Sequence, residues 1–136
     1  MSQAETPAAL GSRINIIEEA YEFMLAYASQ GLSSDQGSDS GRQAREYLTK
    51  CDAALTQLGD FLNGYSERAG VDPLAPYRAF IAVIDRDARD AQAAIQLVLA
   101  QPGISSQLVD NLNASIHLRA LLTDLFLIDE VFKTRR

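Results

Sequence analysis

The side chains of this sequence that could support catalysis or bind a transition metal are few and scattered. His117 is the single histidine and Cys51 the single cysteine among 136 residues. Transition-metal sites usually combine several histidine or cysteine ligands, and the di-iron sites of helical bundles need Glu-x-x-His pairs. The sequence therefore predicts no metal, no cofactor and no catalytic residues.

The two reactive side chains each fit a structural role. Cys51 falls within an apolar stripe, where a buried thiol without a neighbouring base is unreactive. His117 is followed by Arg119 and Ala120, whereas histidine phosphotransfer domains carry a lysine and a glycine just after their reactive histidine. We therefore expect His117 to be a surface or interface residue.

Two acidic segments are too irregular to predict a cation site. Glu18, Glu19 and Glu22 have the spacing of an ordinary solvated helix start, where acidic side chains are favourable. The segment 31–41 contains aspartates, but not in the order that a calcium loop requires. Its glycine, serine and aspartate content predicts an exposed and mobile loop.

Charged residues on the third predicted helix form pairs at four-residue spacing. Asp85 with Arg89, and Arg86 with Asp90, lie one turn apart, which is typical of an exposed helix face. Arginine is also enriched at protein interfaces. Arg86 and Arg89 are therefore candidate docking charges for a partner's carboxylates.

The elements that must position these residues are helices. Apolar residues recur at alternating steps of three and four in four stretches of the chain, which places them on one side of each helix. The clearest stripes are Leu48, Cys51, Leu55, Leu58, Leu62 and Tyr65, and then Tyr77, Ile81, Ile84, Ala88, Ala91, Ile95 and Val98.

These stripes predict an all-α fold, an antiparallel up-down-up-down four-helix bundle. We expect residues 12–136 to form this single domain, with Ser12 capping the first helix and residues 1–11 forming a flexible arm. Glycine and proline place the connections at 31–41, 70–73 and 102–105.

The fourth predicted helix is apolar on more than one side. A stripe that includes Leu118, Leu121 and Leu125 is sufficient for a core, and a monomeric bundle has no second neighbour to cover the rest. We expect the surplus to form a twofold homodimer, unless this helix lies centrally against the other three. The candidate interface residues are Ile116, Leu122, Phe126, Leu127 and Val131.

Composition limits where the protein acts and what it binds. The formal net charge of −6 opposes binding to nucleic acid, because phosphate contacts need a concentrated basic surface. The longest apolar region, 116–132, is too polar to span a membrane. The first residues lack the pattern of a secretory signal, and one cysteine cannot form an internal disulfide. We therefore expect an acidic, soluble, cytoplasmic protein.

An interaction protein is the primary prediction for function. We expect a small non-catalytic accessory, adaptor or regulatory factor that binds a protein partner through its helix faces. The first alternative is a ligand-binding or sensor bundle, which requires a closed cavity lined by residues such as Tyr21, Ala88 and Ala91. The second is an enzyme of unrecognised type, which requires polar groups that converge in a cleft.

Overall fold

The computed structural model describes residues 5–135, and over that range it contains helices and no strands. The predicted all-α fold is confirmed. Six helices are described where the stripes predict four, because two of the predicted helices are each interrupted once. The helices are α1 (Pro7–Ala28), α2 (Asp39–Leu55), α3 (Leu58–Ala69), α4 (Ala75–Leu99), α5 (Ser106–Ala114) and α6 (His117–Lys133).

The first helix begins at Pro7 rather than at Ser12. The side-chain oxygen of Thr6 caps it by accepting a hydrogen bond of 3.1 Å from a backbone N–H of the first turn. Proline is tolerated in that turn because its missing N–H has no partner there in any case. Leu10 is fully buried, so a helical turn replaces the flexible arm expected to reach residue 11. Residues 1–4 lie outside the described part of the chain.

The pair α2 and α3 replaces the second predicted helix. Every member of its predicted stripe is buried, but Thr56 and Gln57 interrupt the helix, and Gln57 has a positive φ of 54°. Arg13 of α1 stabilises the break, because its guanidinium donates to the carbonyl oxygens of Ala54 at 3.1 Å and Thr56 at 2.9 Å. Carbonyls at the end of a helix have no partner within that helix.

The pair α5 and α6 replaces the fourth predicted helix. Ser105 caps α5, and its hydroxyl accepts a hydrogen bond of 3.0 Å from the N–H of Leu108. The break lies at Ile116, which has a positive φ of 61°. Asn113 donates from Nδ2 to the carbonyl oxygen of Met24 in α1 at 3.1 Å. A contact with a distant segment therefore holds the end of α5 just before the break.

The helices share one apolar core. α1 contacts α2, α5 and α6, while α4 contacts α2, α3, α5 and α6. The predicted stripe of α4 is buried from Ile81 to Val98, and Tyr77 packs partly against the core. The ring of Tyr77 lies 5.8 Å from the ring of Phe132, so the first turns of α4 meet the last turns of α6.

The connection between α1 and α2 contains a buried carboxylate, so the expectation of an exposed loop is wrong at Asp35, which is only 9% exposed. Its Oδ1 accepts a hydrogen bond from the N–H of Ile104 at 2.7 Å, and its Oδ2 accepts one from Nε of Arg45 at 2.9 Å. The Arg45 guanidinium also donates to the carbonyl oxygens of Leu99 at 3.1 Å and Gln101 at 3.2 Å. We call this set of contacts the Asp35–Arg45 junction.

Neighbouring hydrogen bonds fasten the same two connections. The hydroxyl of Tyr27 donates to the carbonyl oxygen of Ile104, and the hydroxyl of Ser106 donates to the carbonyl oxygen of Tyr27, both at 2.7 Å. The backbone N–H of Leu32 donates to the Ser106 hydroxyl, and the Ser106 N–H donates to the carbonyl of Leu32. The connection between α1 and α2 is therefore tied to the connection between α4 and α5.

The hydrogen bond from Arg45 holds the pKa of the Asp35 carboxyl below its usual value, and the bond from the Ile104 N–H acts in the same direction. Because the folded-state pKa is lowered, the ionised carboxylate stabilises the fold above the pKa of an unfolded aspartate. That contribution is lost as the pH falls through the folded-state pKa.

We expect Asp35→Ala to lower the free energy of unfolding by about 2–4 kcal/mol, because it leaves Arg45 without a counter-ion and the Ile104 N–H without an acceptor. Urea unfolding at neutral pH measures the loss. Asp39→Ala is the control, since Asp39 pairs with Arg42 on the exposed surface, and its effect should stay below about 1 kcal/mol. Equal losses in the two variants would contradict the role of the junction.

Candidate functional site

Four large apolar side chains are exposed along α6 and at the residue that precedes it. The exposed fractions are 59% for Ile116, 45% for Phe126, 54% for Leu127 and 36% for Val131. The buried residues of α6 are Leu118, Leu121, Leu122, Leu125, Ile128 and Phe132. Each residue of an α-helix is turned about 100° from the last, so the exposed and buried sets lie on opposite sides. The outer face of α6 comprises Ile116, Arg119, Ala120, Thr123, Phe126, Leu127, Glu130 and Val131.

Leu122 does not belong to this face. It is 5% exposed and lies in the core, which corrects its assignment to the exposed set. α6 contacts α1, α4 and α5, and the ring of Phe132 lies 4.5 Å from the ring of Tyr65 in α3. α6 therefore touches each of the other three predicted helices, as the alternative of a centrally placed helix requires. That packing covers Leu122 but leaves Ile116, Phe126, Leu127 and Val131 partly in solvent.

A shallow depression of about 290 Å³ lies on the N-terminal half of the outer face. Its lining residues are Ile116, Arg119, Ala120, Thr123 and Asp124. Ala120 and Thr123 have short side chains, while Ile116 and Arg119 are longer and border them. The depression therefore lies over the short side chains of Ala120 and Thr123, and the longer side chains of Ile116 and Arg119 form its rim.

A pair of carboxyl groups lies at the edge of this depression. The carboxyl of Asp124 lies within hydrogen-bonding reach of the carboxyl of Asp87 in α4, and Oδ2 of Asp124 is buried without an N–H, hydroxyl or cationic donor. Burial, followed by the hydrogen bond and the negative charge of Asp87, raises the pKa of Asp124 to about 7. Two carboxyl groups can share a hydrogen bond only when one of them holds a proton. The pair therefore keeps a proton up to about neutral pH.

Helical periodicity alone did not predict this pair. Asp87 precedes Ala88 and Asp124 precedes Leu125, so each carboxylate borders a core position of its helix, and this adjacency is the signal that was available. A carboxyl with a raised pKa has the protonation of a general acid. Within residues 5–135, however, no group of three or more His, Cys, Asp or Glu side chains is placed to hold a metal ion. Loss of the shared proton makes the contact between α4 and α6 more negative as the pH rises.

The two reactive side chains considered from the sequence lie apart from the depression on α6. Cys51 is fully buried in α2, and burial raises the pKa of its thiol to about 12. The thiol therefore stays protonated and unreactive at neutral pH. His117 is exposed at the first position of α6, and it does not line the depression.

The candidate docking charges, Arg86 and Arg89, are exposed on α4. Nε of Arg89 lies 2.9 Å from Oδ2 of Asp85, as the four-residue spacing predicts. Arg89 also lines an open depression of about 380 Å³ between α3 and α4. Neither arginine lines the depression on α6, so the structure does not bring the docking charges into that site.

A wider open depression, of about 790 Å³, lies beside the Asp35–Arg45 junction. Its lining alternates in charge, with Arg42 and Lys50 beside Asp39 and Glu46. Arg42 already pairs with Asp39 at 2.9 Å. Alternating charges of this kind are typical of a solvated surface and favour no single class of charged ligand.

No family model matches this chain, and no curated protein or solved structure matches it either. None of the helices within residues 5–135 has the length and apolar character needed to cross a membrane. Function must therefore be inferred from the side chains and their geometry.

Asp124→Asn tests the carboxyl pair, because asparagine keeps the size of the side chain and donates to Asp87 without titrating. The folded-state pKa of Asp124 is raised, so the stability contributed by its protonated form is present at low pH and lost as the pH rises towards about 7. The free energy of unfolding of the variant minus that of wild type should therefore be larger at about pH 8 than at about pH 5, by at least about 1 kcal/mol.

Urea unfolding of both proteins at the two pH values measures this difference. Asp110→Asn is the matched control, since it makes the same substitution at an exposed aspartate of α5. A pH-independent effect of Asp124→Asn would show that the two carboxyl groups do not share a proton.

Proposed function

We propose that this protein is a small non-catalytic interaction protein, an accessory or regulatory factor, that forms a twofold homodimer through the outer face of α6. The observation that carries the proposal is the exposure of Ile116, Phe126, Leu127 and Val131 on one side of one helix. Single exposed apolar residues are ordinary on protein surfaces, but a contiguous group of this size marks association.

The other exposed large apolar residues provide the comparison. Leu25 is 48% exposed on α1 and Leu97 is 67% exposed on α4, each alone among the exposed large apolar residues of its helix. Burying one leucine or phenylalanine side chain contributes about 1.5–3 kcal/mol. The four side chains on each copy are 36–59% exposed, so association buries that remaining part on eight side chains, whereas an isolated leucine contributes it only once.

Charge favours a second copy as the occupant of this face. The chain is acidic overall, with a formal net charge of −6, so pairing at most other surfaces brings like charges together. The outer face of α6 carries one cation, Arg119, and one anion, Glu130. Apart from the Asp87–Asp124 pair at its edge, each copy of this face is therefore balanced in charge, and a twofold pair is the commonest form of oligomer.

The alternative functions have less support. Ala88 and Ala91 are buried, which fits tight packing around α4 rather than a ligand cavity. The depressions of about 290–790 Å³ all open to solvent, and none has Tyr21, Ala88 or Ala91 in its lining. A catalytic function would need polar groups that converge in a cleft, and the carboxyl pair of Asp87 and Asp124 lies at the edge of a shallow apolar depression instead.

Two finer predictions belong to the same proposal. The contacts of α1 with α2 and α5, and of α4 with α2 and α6, support an up-down-up-down bundle in which two of the four arms are broken. The single cysteine supports a cytoplasmic location, since a reducing compartment makes no use of disulfides.

We expect Leu127→Asp to convert the dimer to a monomer without unfolding the chain, because Leu127 is half-exposed within one copy and would place a buried charge in the interface. Light scattering at roughly 50 µM measures the mass, and a melting curve checks the fold. Leu97→Asp makes the same change at an exposed leucine outside the interface and should leave the mass unchanged. A Leu127→Asp protein with the mass of the wild-type dimer would contradict the proposal.

A further inference from the structure

We infer that the two α6 helices of the dimer pack antiparallel, with Leu127 of each copy inserted into the depression between Ile116, Arg119, Ala120 and Thr123 of the other. This inference rests on the proposed function, since it requires the homodimer. It adds the direction of the two helices, their register and the residues that meet.

The lining of the depression has the spacing of a helix-packing hole. Four of its five lining residues, Ile116, Arg119, Ala120 and Thr123, lie at positions i, i+3, i+4 and i+7, and four residues at these spacings form the hole that receives one side chain of a facing helix. The fifth, Asp124, lies at the edge of this hole. The short side chain of Ala120 gives that side chain room. Leu127 is the half-exposed leucine of the same face, and leucine is a common side chain at such positions.

The register follows from placing Leu127 of one copy level with Ala120 of the other. In an antiparallel pair, moving one residue forward along one helix corresponds to moving one residue backward along the other. Ile116 is then level with Val131 of the second copy, and Thr123 lies beside the twofold axis, about 1.5 Å along the helix from its own counterpart. Ile116 and Val131 thus meet across the pair, and Leu127 lies in the hole around Ala120.

The two charged residues of the face fit the same register. Arg119 and Glu130 lie on the same edge of the face, about 20° apart around the helix. In the antiparallel pair, Arg119 is within about two residues, or roughly 3 Å along the axis, of Glu130 in the second copy. Twofold symmetry makes this contact twice. A parallel pair would instead place Arg119 beside Arg119 and Glu130 beside Glu130.

Charge reversal tests this pairing directly. Arg119→Glu and Glu130→Arg each place like charges together twice in their own homodimers, so each should raise the dimer dissociation constant about tenfold. In a heterodimer of the two variants, one copy carries both acidic residues and the other carries both arginines. Each of the two contacts then joins opposite charges again, so the dissociation constant should return to near the wild-type value. Both residues are exposed within one copy, so the fold is not at risk.

Sedimentation velocity of each variant alone and of the equimolar mixture measures these constants. Preferential formation of the mixed dimer is the result expected from the antiparallel register. If the wild type dimerises but the mixture is no tighter than the separate variants, the antiparallel pairing is wrong while the homodimer stands. A wild-type chain that stays monomeric would overturn both proposals.

Engineered cysteines provide a second test that does not depend on charge. Thr123→Cys should oxidise to a disulfide-linked dimer, because residue 123 lies beside the twofold axis. Thr134→Cys should not, since antiparallel pairing separates the two copies of residue 134 by roughly 30 Å. Cys51 is buried in α2 and lies outside the α6 interface, so it should not form the disulfide. Cross-linking through residue 134 would demonstrate a parallel pair and overturn the inference.

Discussion

The carboxylate of Asp35 is buried between two connections of the chain, and the ends of α1, α2, α4 and α5 meet around it. A buried carboxylate is destabilising unless its oxygens find donors, and here each oxygen accepts one hydrogen bond, from Arg45 or from Ile104. The start of α2 packs so closely on this segment that any Cβ at Gly41 would overlap the Asp35 carbonyl. Because α5 begins two residues after Ile104, the junction fixes the position from which α5 and then α6 follow.

The exposed face of α6 is a consequence of where that helix begins. The chain turns at Ile116, whose φ of 61° is one that a β-branched residue rarely adopts. Such a conformation costs about 1–2 kcal/mol and persists only when the surrounding structure requires it. The turn lets α6 bury Leu122 against its neighbours, and it leaves Ile116 itself in solvent. In the proposed dimer Ile116 meets Val131 of the second copy, which gives the exposed side chain an apolar partner.

Periodicity was sufficient to predict the apolar stripes, because the residues from Leu48 to Tyr65 and from Ile81 to Val98 are buried as expected. It was not sufficient to predict the helix breaks. Neither Gln57 nor Ile116 is a residue that ends helices by its own preference. The hydrogen bonds that hold these breaks join segments that are far apart in the sequence: Arg13 donates to residues 54 and 56, and Asn113 donates to Met24. No local pattern contains that information.

The polar interior was also beyond the reach of local patterns. Asp35 belongs to a segment whose composition predicts solvent exposure, and only its partners on other segments show why it is buried. Asp87 and Asp124 are far apart in the sequence, and only the packing of α6 against α4 brings their carboxyl groups together. Four of the five candidate interface residues are exposed, whereas Leu122 is buried, because helical periodicity does not determine how many neighbours cover a helix.

The proposed function depends on self-association of the unmodified chain, and sedimentation equilibrium across a range of concentrations tests that association most directly. The chain has a mass of 14.8 kDa. The proposed dimer predicts that the fitted mass approaches twice this value as the concentration rises through the micromolar range. A fitted mass that stays at that of one chain up to roughly 100 µM would contradict the account, because an interface of this kind should assemble well below that concentration.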